Sequence, residues 1–117
     1  MEPAPIKATV TFELFQQLDI RVGRILSVEG VSASRKLARL RVSFGDHERT
    51  ILAGLKGERR DLATLIGVQT LFVVNVAPRV MAGEVSEGTL FDIGYADGLV
   101  PVLAVPESSV PDGARLG

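Results

Sequence analysis

The sequence predicts an all-β domain: a small five-stranded Greek-key barrel with a short N-terminal helix and a second short helix between strands 3 and 4. Apolar and polar residues alternate with period two in several short stretches, which is typical of half-buried strands. Turns rich in Gly and Pro separate these stretches. The chain of 117 residues, 46% of them hydrophobic, is long enough for one domain with a buried core.

The N-terminal part predicts a loose segment, a short helix and a first strand. Residues 1–10 are rich in Pro and Ala and are predicted to be flexible, so the single domain is expected to span residues 11–117. Thr11 is a typical helix N-cap. Apolar residues recur at helical spacing after it, at Phe12, Phe15 and Leu18. Residues 20–28 read as the first strand, in which Gly23 indicates a bulge or a bend.

A hairpin and a helix are predicted next. Arginines alternate with the apolar residues Leu40, Val42 and Phe44, which predicts the second strand. Residues 49–53 return as its hairpin partner. Residues 58–66 have apolar residues on one helical face, and Gly67 is a typical stop signal.

The C-terminal part predicts further strands. Residues 70–77 are apolar on both faces and are expected to lie inside the sheet. Residues 79–88 are expected to form an irregular loop. Residues 89–95 and 99–105 read as a strand pair joined by a turn, with Pro101 placing the second strand at an edge. A helix between the third and fourth strands of a small barrel is the plan of the OB-fold.

The composition excludes several classes of protein. The chain has no cysteine and a single histidine, His47, which excludes disulfides, thiolate sites and two-histidine zinc sites. No nucleophile, carboxylate pair or phosphate loop has the required spacing, so we expect neither an enzyme nor a cofactor nor a metal. The absence of a signal peptide and of a long apolar run predicts a cytoplasmic protein that does not span a membrane.

The net charge of −1 hides a strong asymmetry along the chain. Residues 1–20 carry −2, residues 21–60 carry +6 and residues 61–117 carry −5. Arg39 and Arg41 lie on the outward face of the second strand, opposite its apolar residues. Arg49 extends this face and the first loop adds two more cations, Arg35 and Lys36.

This basic surface has two interpretations. An OB-fold holds nucleic acid on its middle strands and adjacent loops, and guanidinium groups fit phosphate oxygens. An ordinary solvated β-face is the alternative. Phe44 and Phe72 read as core, while Phe91, Ile93 and Tyr95 share one face of a predicted strand. Since few rings remain for stacking, structured RNA is a better candidate than an open single strand.

Several segments together resemble the tRNA-binding domain family. Residues 19–25, Asp-Ile-Arg-Val-Gly-Arg-Ile, resemble its Asp-x-Arg-Val-Gly-x-Ile opening. Residues 36–37 resemble its Lys-Leu stretch, and residues 74–79 and 83–88 follow its most specific motif in order and spacing. Residues 110–117 are similar to its Val-Pro-x-Gly close. The family includes the C-terminal appendage of bacterial methionyl-tRNA synthetase, free-standing dimeric tRNA-binding proteins and an export-related chaperone.

The resemblance implies an OB barrel that binds tRNA without catalysis, as a homodimer. The RNA contacts it implies, together with the basic face, are Arg35, Lys36, Arg39, Arg41, Arg49, Asn75, Arg79 and Ser86. The implied dimer interface joins the N-terminal helix to the C-terminal segment, through Phe12, Phe15, Leu18, Val100, Val102 and Leu103. The alternatives are a chaperone that binds unfolded polypeptides and a module that docks onto an aminoacyl-tRNA synthetase.

Overall fold

The computed structural model describes residues 1–57 and 61–117, and within these ranges it contains one α-helix and seven strands. In chain order they are α1 (Phe12–Gln16), β1 (Ile20–Gly30), β2 (Ala38–Ser43), β3 (Glu48–Ala53), β4 (Gln69–Val73), β5 (Arg79–Met81), β6 (Glu84–Ser86) and β7 (Thr89–Leu90). Two short 3-10 turns cover Leu62–Leu65 and Tyr95–Asp97. No helix in the described ranges has the length and apolar character needed to cross a membrane.

Five strands form one antiparallel sheet in the order β3-β2-β1-β4-β7, and β5 and β6 form a separate hairpin. The sheet curls into a nearly closed barrel, so the prediction of an all-β, OB-like five-stranded barrel is confirmed. The predicted β2–β3 hairpin is present, with Ala38 opposite Ala53 and Ser43 opposite Glu48.

Inward-facing side chains of the strands fill the barrel. Phe72 is fully buried and meets Phe44 edge to face, with their ring centroids 5.7 Å apart. This geometry is favourable for two aromatic rings and confirms that both belong to the core. Ile25, Leu40, Val42 and Ile51 are among the other fully buried side chains of the core.

The end of β6 and the residues that follow it, 86–88, close the barrel between its two edge strands. The Leu52 N–H donates to Ser86 Oγ at 3.0 Å, and the Glu87 N–H donates to the Thr50 carbonyl at 2.9 Å. The Ser86 hydroxyl in turn donates to the Gly88 carbonyl at 2.8 Å. The edges are therefore joined by a few individual hydrogen bonds rather than by a continuous strand ladder.

The C-terminal segment pairs with the start of β1. The Gly113 N–H donates to the Val22 carbonyl at 2.7 Å, and the Val22 N–H donates to the Ala114 carbonyl at 2.9 Å. The Leu116 N–H donates to the Ile20 carbonyl at 2.9 Å. Since β4 pairs with the opposite edge, the first residues of β1 are held on both sides.

The N-terminal helix begins as predicted, because Thr11 Oγ1 accepts a hydrogen bond from the Leu14 N–H at 3.1 Å.

The predicted helix over residues 58–66 is only partly observable. Residues 58–60 lie outside the described residues, and the rest forms a 3-10 turn that buries Leu65.

Of the bulge or bend predicted at Gly23, the bulge is not found there, since the register shift in β1 lies between Ile25 and Ser27 and Gly23 pairs regularly with Thr70 of β4. The glycine is required instead by close packing, because a Cβ on Gly23 would lie 2.5 Å from Val42 Cγ1. The irregular loop predicted over residues 79–88 is also wrong, since β5 and β6 form a hairpin there.

The strand pair predicted over residues 89–95 and 99–105 is largely absent. Only the two residues of β7 and an isolated bridge between Ile93 and Val102 remain. Gly94 and Gly98 adopt left-handed backbone angles, with φ of 102° and 73°, on either side of a 3-10 turn. This turn replaces the end of the first predicted strand and redirects the chain.

Candidate nucleic-acid interface

Arg39 lies on the outward face of β2, as predicted, but its charge is neutralised within the chain. Its Nε and Nη2 donate to the two carboxylate oxygens of Glu84 at 2.6 and 2.7 Å, and its Nη1 donates to Glu29 Oε2 at 2.9 Å. Such charge-assisted pairs are strong and directional. Because Glu84 belongs to β6, they tie the β5–β6 hairpin to the sheet.

Arg41 and Arg49 also have partners. Arg41 donates to Glu48 Oε1 at 3.1 Å and to Thr50 Oγ1 at 3.0 Å, which engages two of its nitrogens with the neighbouring strand β3. Arg49 Nη1 donates to the backbone carbonyls of Val74 and Glu87 at 2.6 and 3.0 Å. Arg49 therefore links β3 to the end of β4 and to the segment that closes the barrel.

The Arg39 guanidinium holds the pKa of the Glu84 carboxyl below its usual value, because it donates two hydrogen bonds to the carboxylate. With a lowered folded-state pKa, the pairing stabilises the fold above the unfolded-state pKa of about 4.3 and is lost as the pH falls through the folded-state value. We therefore expect Glu84→Gln to lower Tm at neutral pH and to have little effect once the pH is well below that range.

Thermal unfolding followed by circular dichroism between about pH 3 and 7 measures this difference. Glu107→Gln is the matched control, since Glu107 has no ion pair among residues 1–57 and 61–117. It should leave the Tm profile close to that of the wild type. A Tm difference for Glu84→Gln that stays constant with pH would contradict the pairing.

Three predicted contacts carry exposed cations without a side-chain partner in the part of the chain that the structure describes: Arg35, Lys36 and Arg79. They differ in this respect from the paired arginines on β2 and β3. A ligand can therefore bind these side chains without breaking an ion pair to another described residue.

The loop between β1 and β2 is held in place by its own hydrogen bonds. Ser34 Oγ accepts from the backbone N–H groups of Lys36 and Leu37 at 3.2 and 3.1 Å. Lys56 Nζ donates to the carbonyls of Val31 and Ser34 at 3.2 and 3.0 Å. The backbone that presents Lys36 is therefore preorganised, although the side chain itself is free.

A cleft of about 340 Å³ brings Lys36 and Arg79 onto one surface. Lys36 comes from the β1–β2 loop and Arg79 from β5. The other lining residues come from the β1–β2 loop, the end of β3, β5, β7 and the segment that follows β7, namely Ser34, Leu37, Leu52, Ala53, Gly54, Met81, Thr89, Leu90, Asp92 and Tyr95.

Asn75 and Ser86 are engaged inside the chain. The Asn75 side chain accepts from the Asp19 N–H at 2.8 Å and donates to the Gln17 carbonyl at 2.6 Å, which joins the end of β4 to the segment after α1. Ser86 is 1% exposed and its hydroxyl belongs to the barrel closure described above. Asn75 therefore shapes the fold beside α1, away from the cleft, and Ser86 is not accessible to a ligand.

A second, apolar surface lies on and beside α1. The helix buries none of its residues, and Phe12 is 67% exposed. With Phe15, Leu18 and Phe91 it lines a groove of about 1070 Å³. Of the other residues predicted at a dimer interface, Val100 and Val102 are exposed and Leu103 packs against the core.

Two features of this site were missed by reasoning from the sequence. The carboxylates that pair with Arg39 come from outside its strand, and Glu84 is 45 residues away. Tyr95 lies at the cleft rather than on a strand face with Phe91, and the signal for this was the glycine on either side of its turn. No group of His, Asp or Glu side chains in residues 1–57 and 61–117 is arranged to hold a metal ion.

A small β-barrel that presents free cations beside an open cleft defines a ligand-binding module of OB type. The chain belongs to the tRNA-binding domain family: residues 20–115 match the family model described as "Putative tRNA binding domain". The resemblance found in the sequence motifs is thereby confirmed.

Solved structures agree with this assignment. The fold is similar to that of a MetRS related protein from Pyrococcus horikoshii, with 31% identity and a TM-score of 0.85 over 95% of this chain and 100% of that chain. It is also similar to the chaperone CsaA from Bacillus anthracis, with 30% identity and a TM-score of 0.84 over 94% and 100%. The C-terminal domain of Plasmodium vivax p43 matches at 25% identity and a TM-score of 0.71, over 84% of this chain and 58% of that one.

Proposed function

We propose that this protein is a non-catalytic, cytoplasmic binder of tRNA that recognises the folded RNA by its phosphates and acts as a homodimer. The observation that carries the proposal is the set of free cations Arg35, Lys36 and Arg79 on a preorganised loop and an adjacent strand. Membership of the tRNA-binding domain family supports RNA as the ligand.

The paired arginines take a different part in the proposal. Arg39, Arg41 and Arg49 are already bonded to carboxylates, a hydroxyl and carbonyls. They maintain the shape of the outer face, and they contribute less to RNA affinity than the three free cations. The number of phosphates neutralised by one subunit is then about three rather than six.

A titration of labelled tRNA at increasing salt tests the function. Neutralising three phosphates gives a slope of log K against log salt of roughly −2.7, so affinity should fall about 40-fold per subunit between 50 and 200 mM salt. A dimer that places both subunits on one RNA steepens this dependence and raises the effective affinity. Absence of retention at both salt concentrations would refute tRNA binding, and an affinity unchanged by salt would refute recognition through phosphates.

The groove beside α1, which exposes Phe12, Phe15 and Phe91, favours a second candidate function, a chaperone for unfolded polypeptides. Two of the similar structures are CsaA chaperones, at 30% and 27% identity. Apolar burial is not screened by salt, so an unfolded apolar peptide titrated in parallel should bind with little salt dependence if this function holds. Capture of a synthetase by the RNA-free protein would instead indicate a docking module.

The dimer is expected to form through the apolar surface on α1. We expect Phe12→Ser combined with Phe15→Ser to convert the dimer into a monomer, because both rings are exposed on a helix that buries nothing in its own subunit. Sedimentation equilibrium should change from twice the chain mass of 12.5 kDa to that mass itself. Val80→Ser, an exposed apolar residue on β5, is the control. If the double variant and the control both remain dimeric, this interface is excluded.

A further inference from the structure

The cleft beside Lys36 has a composition that phosphate binding does not require. Apolar residues, among them Leu52 and Leu90, and the tyrosine Tyr95 are part of its lining. A volume of about 340 Å³ is at the lower end of the range of small-molecule pockets. Apolar side chains, an aromatic residue and cations within one cleft are complementary to a nucleotide.

The Tyr95 ring is accessible although it is held in a defined position. Tyr95 is 57% exposed, so it contributes little to the core. Its ring lies against the backbone that follows β3, where a Cβ built on Gly54 would be 3.2 Å from Tyr95 Cε2. The Tyr95 N–H is directed to Asp92 Oδ1 at 3.4 Å, which anchors the turn that carries the ring. An exposed ring on an anchored turn is a typical platform for stacking a base.

Asp92 supplies an acceptor in the same cleft. Its carboxylate is half-buried, and within the described ranges its one hydrogen bond is that from the Tyr95 N–H. A carboxylate accepts hydrogen bonds from the amino group of a base, as Asp and Glu do from cytosine N4. It would repel a phosphate, so a bound nucleotide is oriented with its phosphate towards Lys36 and Arg79 and its base towards Asp92.

We propose that this cleft binds one unstacked nucleotide of the RNA, with the base on Tyr95, an exocyclic amino group on Asp92 and the phosphate on Lys36 and Arg79. The proposal rests on the proposed RNA-binding function and deepens it. The phosphate contacts recognise any folded RNA, whereas the cleft recognises a single unpaired residue such as one at a loop or at an end. An amino-bearing base is preferred to uracil.

The test uses 5′-CMP, 5′-UMP and ribose 5-phosphate with the full chain. Because Tyr95 is the single tyrosine, protein made with isotope-labelled tyrosine gives one set of ring signals by NMR. We expect CMP to shift these signals upfield by ring stacking and ribose 5-phosphate to leave them unchanged. CMP should bind roughly tenfold more tightly than UMP, and Asp92→Asn should remove this preference, because an amide can also donate to uracil O4.

Two variants separate stacking from folding. Tyr95→Leu should weaken CMP binding roughly tenfold, with Tm close to that of the wild type because the ring is exposed. Tyr95→Phe keeps a stacking surface and should retain most of the affinity. Equal binding of CMP and ribose 5-phosphate without a ring shift would overturn the proposal, as would displacement of CMP by an unfolded apolar peptide with higher affinity.

Titration of tRNA onto the same variants distinguishes this inference from the proposed function. If wild type and Tyr95→Leu bind tRNA equally and with the same salt dependence, the cleft inference fails while RNA binding stands. If the wild type does not bind tRNA but CMP shifts the Tyr95 signals, the proposed function fails and the cleft is a nucleotide site of another kind.

Discussion

Replacing Lys36 and Arg79 together by glutamine is expected to lower tRNA affinity about 100-fold at low salt. Each side chain lies in the same cleft and has no partner among the residues that the structure describes. Removing a charged hydrogen bond to a phosphate costs about 1.5 kcal/mol or more, which is roughly tenfold. The slope of log affinity against log salt should become shallower by about two, one for each phosphate that is no longer neutralised. Fluorescence anisotropy of labelled tRNA over a series of salt concentrations measures both quantities.

The matched control is Lys7→Gln combined with Arg41→Gln. It removes the same number of charges, but Lys7 lies in the exposed N-terminal segment and Arg41 is paired with Glu48. We expect less than about a threefold decrease in affinity, since long-range screening leaves only a weak effect of net charge. Equal decreases for the two double variants would mean that total charge, and not the cleft, determines binding.

The second large effect is expected from Gly113→Ala, which should destabilise the fold by about 3 kcal/mol or more. An added Cβ would overlap the backbone carbonyl oxygen of Phe44, and φ is +90°. An overlap with backbone cannot be relieved by a side-chain rotation, so the C-terminal segment must move. The movement breaks the hydrogen bond from the Gly113 N–H to the Val22 carbonyl at 2.7 Å, in addition to the left-handed strain of about 1–2 kcal/mol.

Gly67→Ala provides a close control. Gly67 has φ of +87°, and its N–H also donates at 2.7 Å to a carbonyl of β1, that of Ile25. Among residues 1–57 and 61–117, apart from its two chain neighbours, no atom would lie within 4 Å of an added Cβ. We expect this variant to be destabilised only by the backbone strain, about 1–2 kcal/mol. Urea denaturation gives the free energies of unfolding of both variants. Similar destabilisation in the two would show that the overlap with Phe44 is relieved without cost.

Much of the barrel could be predicted from the sequence, because periodicity reports directly on burial. The alternation around Leu40 and Val42 and the helical spacing after Thr11 each indicated the correct element. The hairpin of β5 and β6 could not be predicted, because its turn contains Ala82 at φ of 49°. Alanine rarely adopts this region and does not signal such a turn.

The candidate site shows the limit of counting charges along a chain. Arg35, Lys36 and Arg79 were identified by their position in loops or by a family motif, and they are free in the described structure. Arg39 was identified because it lies in the basic segment, residues 21–60. In the structure, however, Glu84 from the acidic segment, residues 61–117, neutralises its charge. Periodicity indicates the direction of a side chain from the sheet, but only the tertiary structure reveals its partner.

The way in which the barrel is closed has a thermodynamic consequence. The seam between β3 and β7 depends on a few bonds made by Ser86 and Glu87, and the cleft is lined by residues of both strands as well as by Lys36 and Arg79. A ligand that contacts both cations acts as a clamp over the seam. Its binding free energy is then added to the stability of the closed state by mass action. We therefore expect occupancy of the cleft to make opening of the barrel rarer.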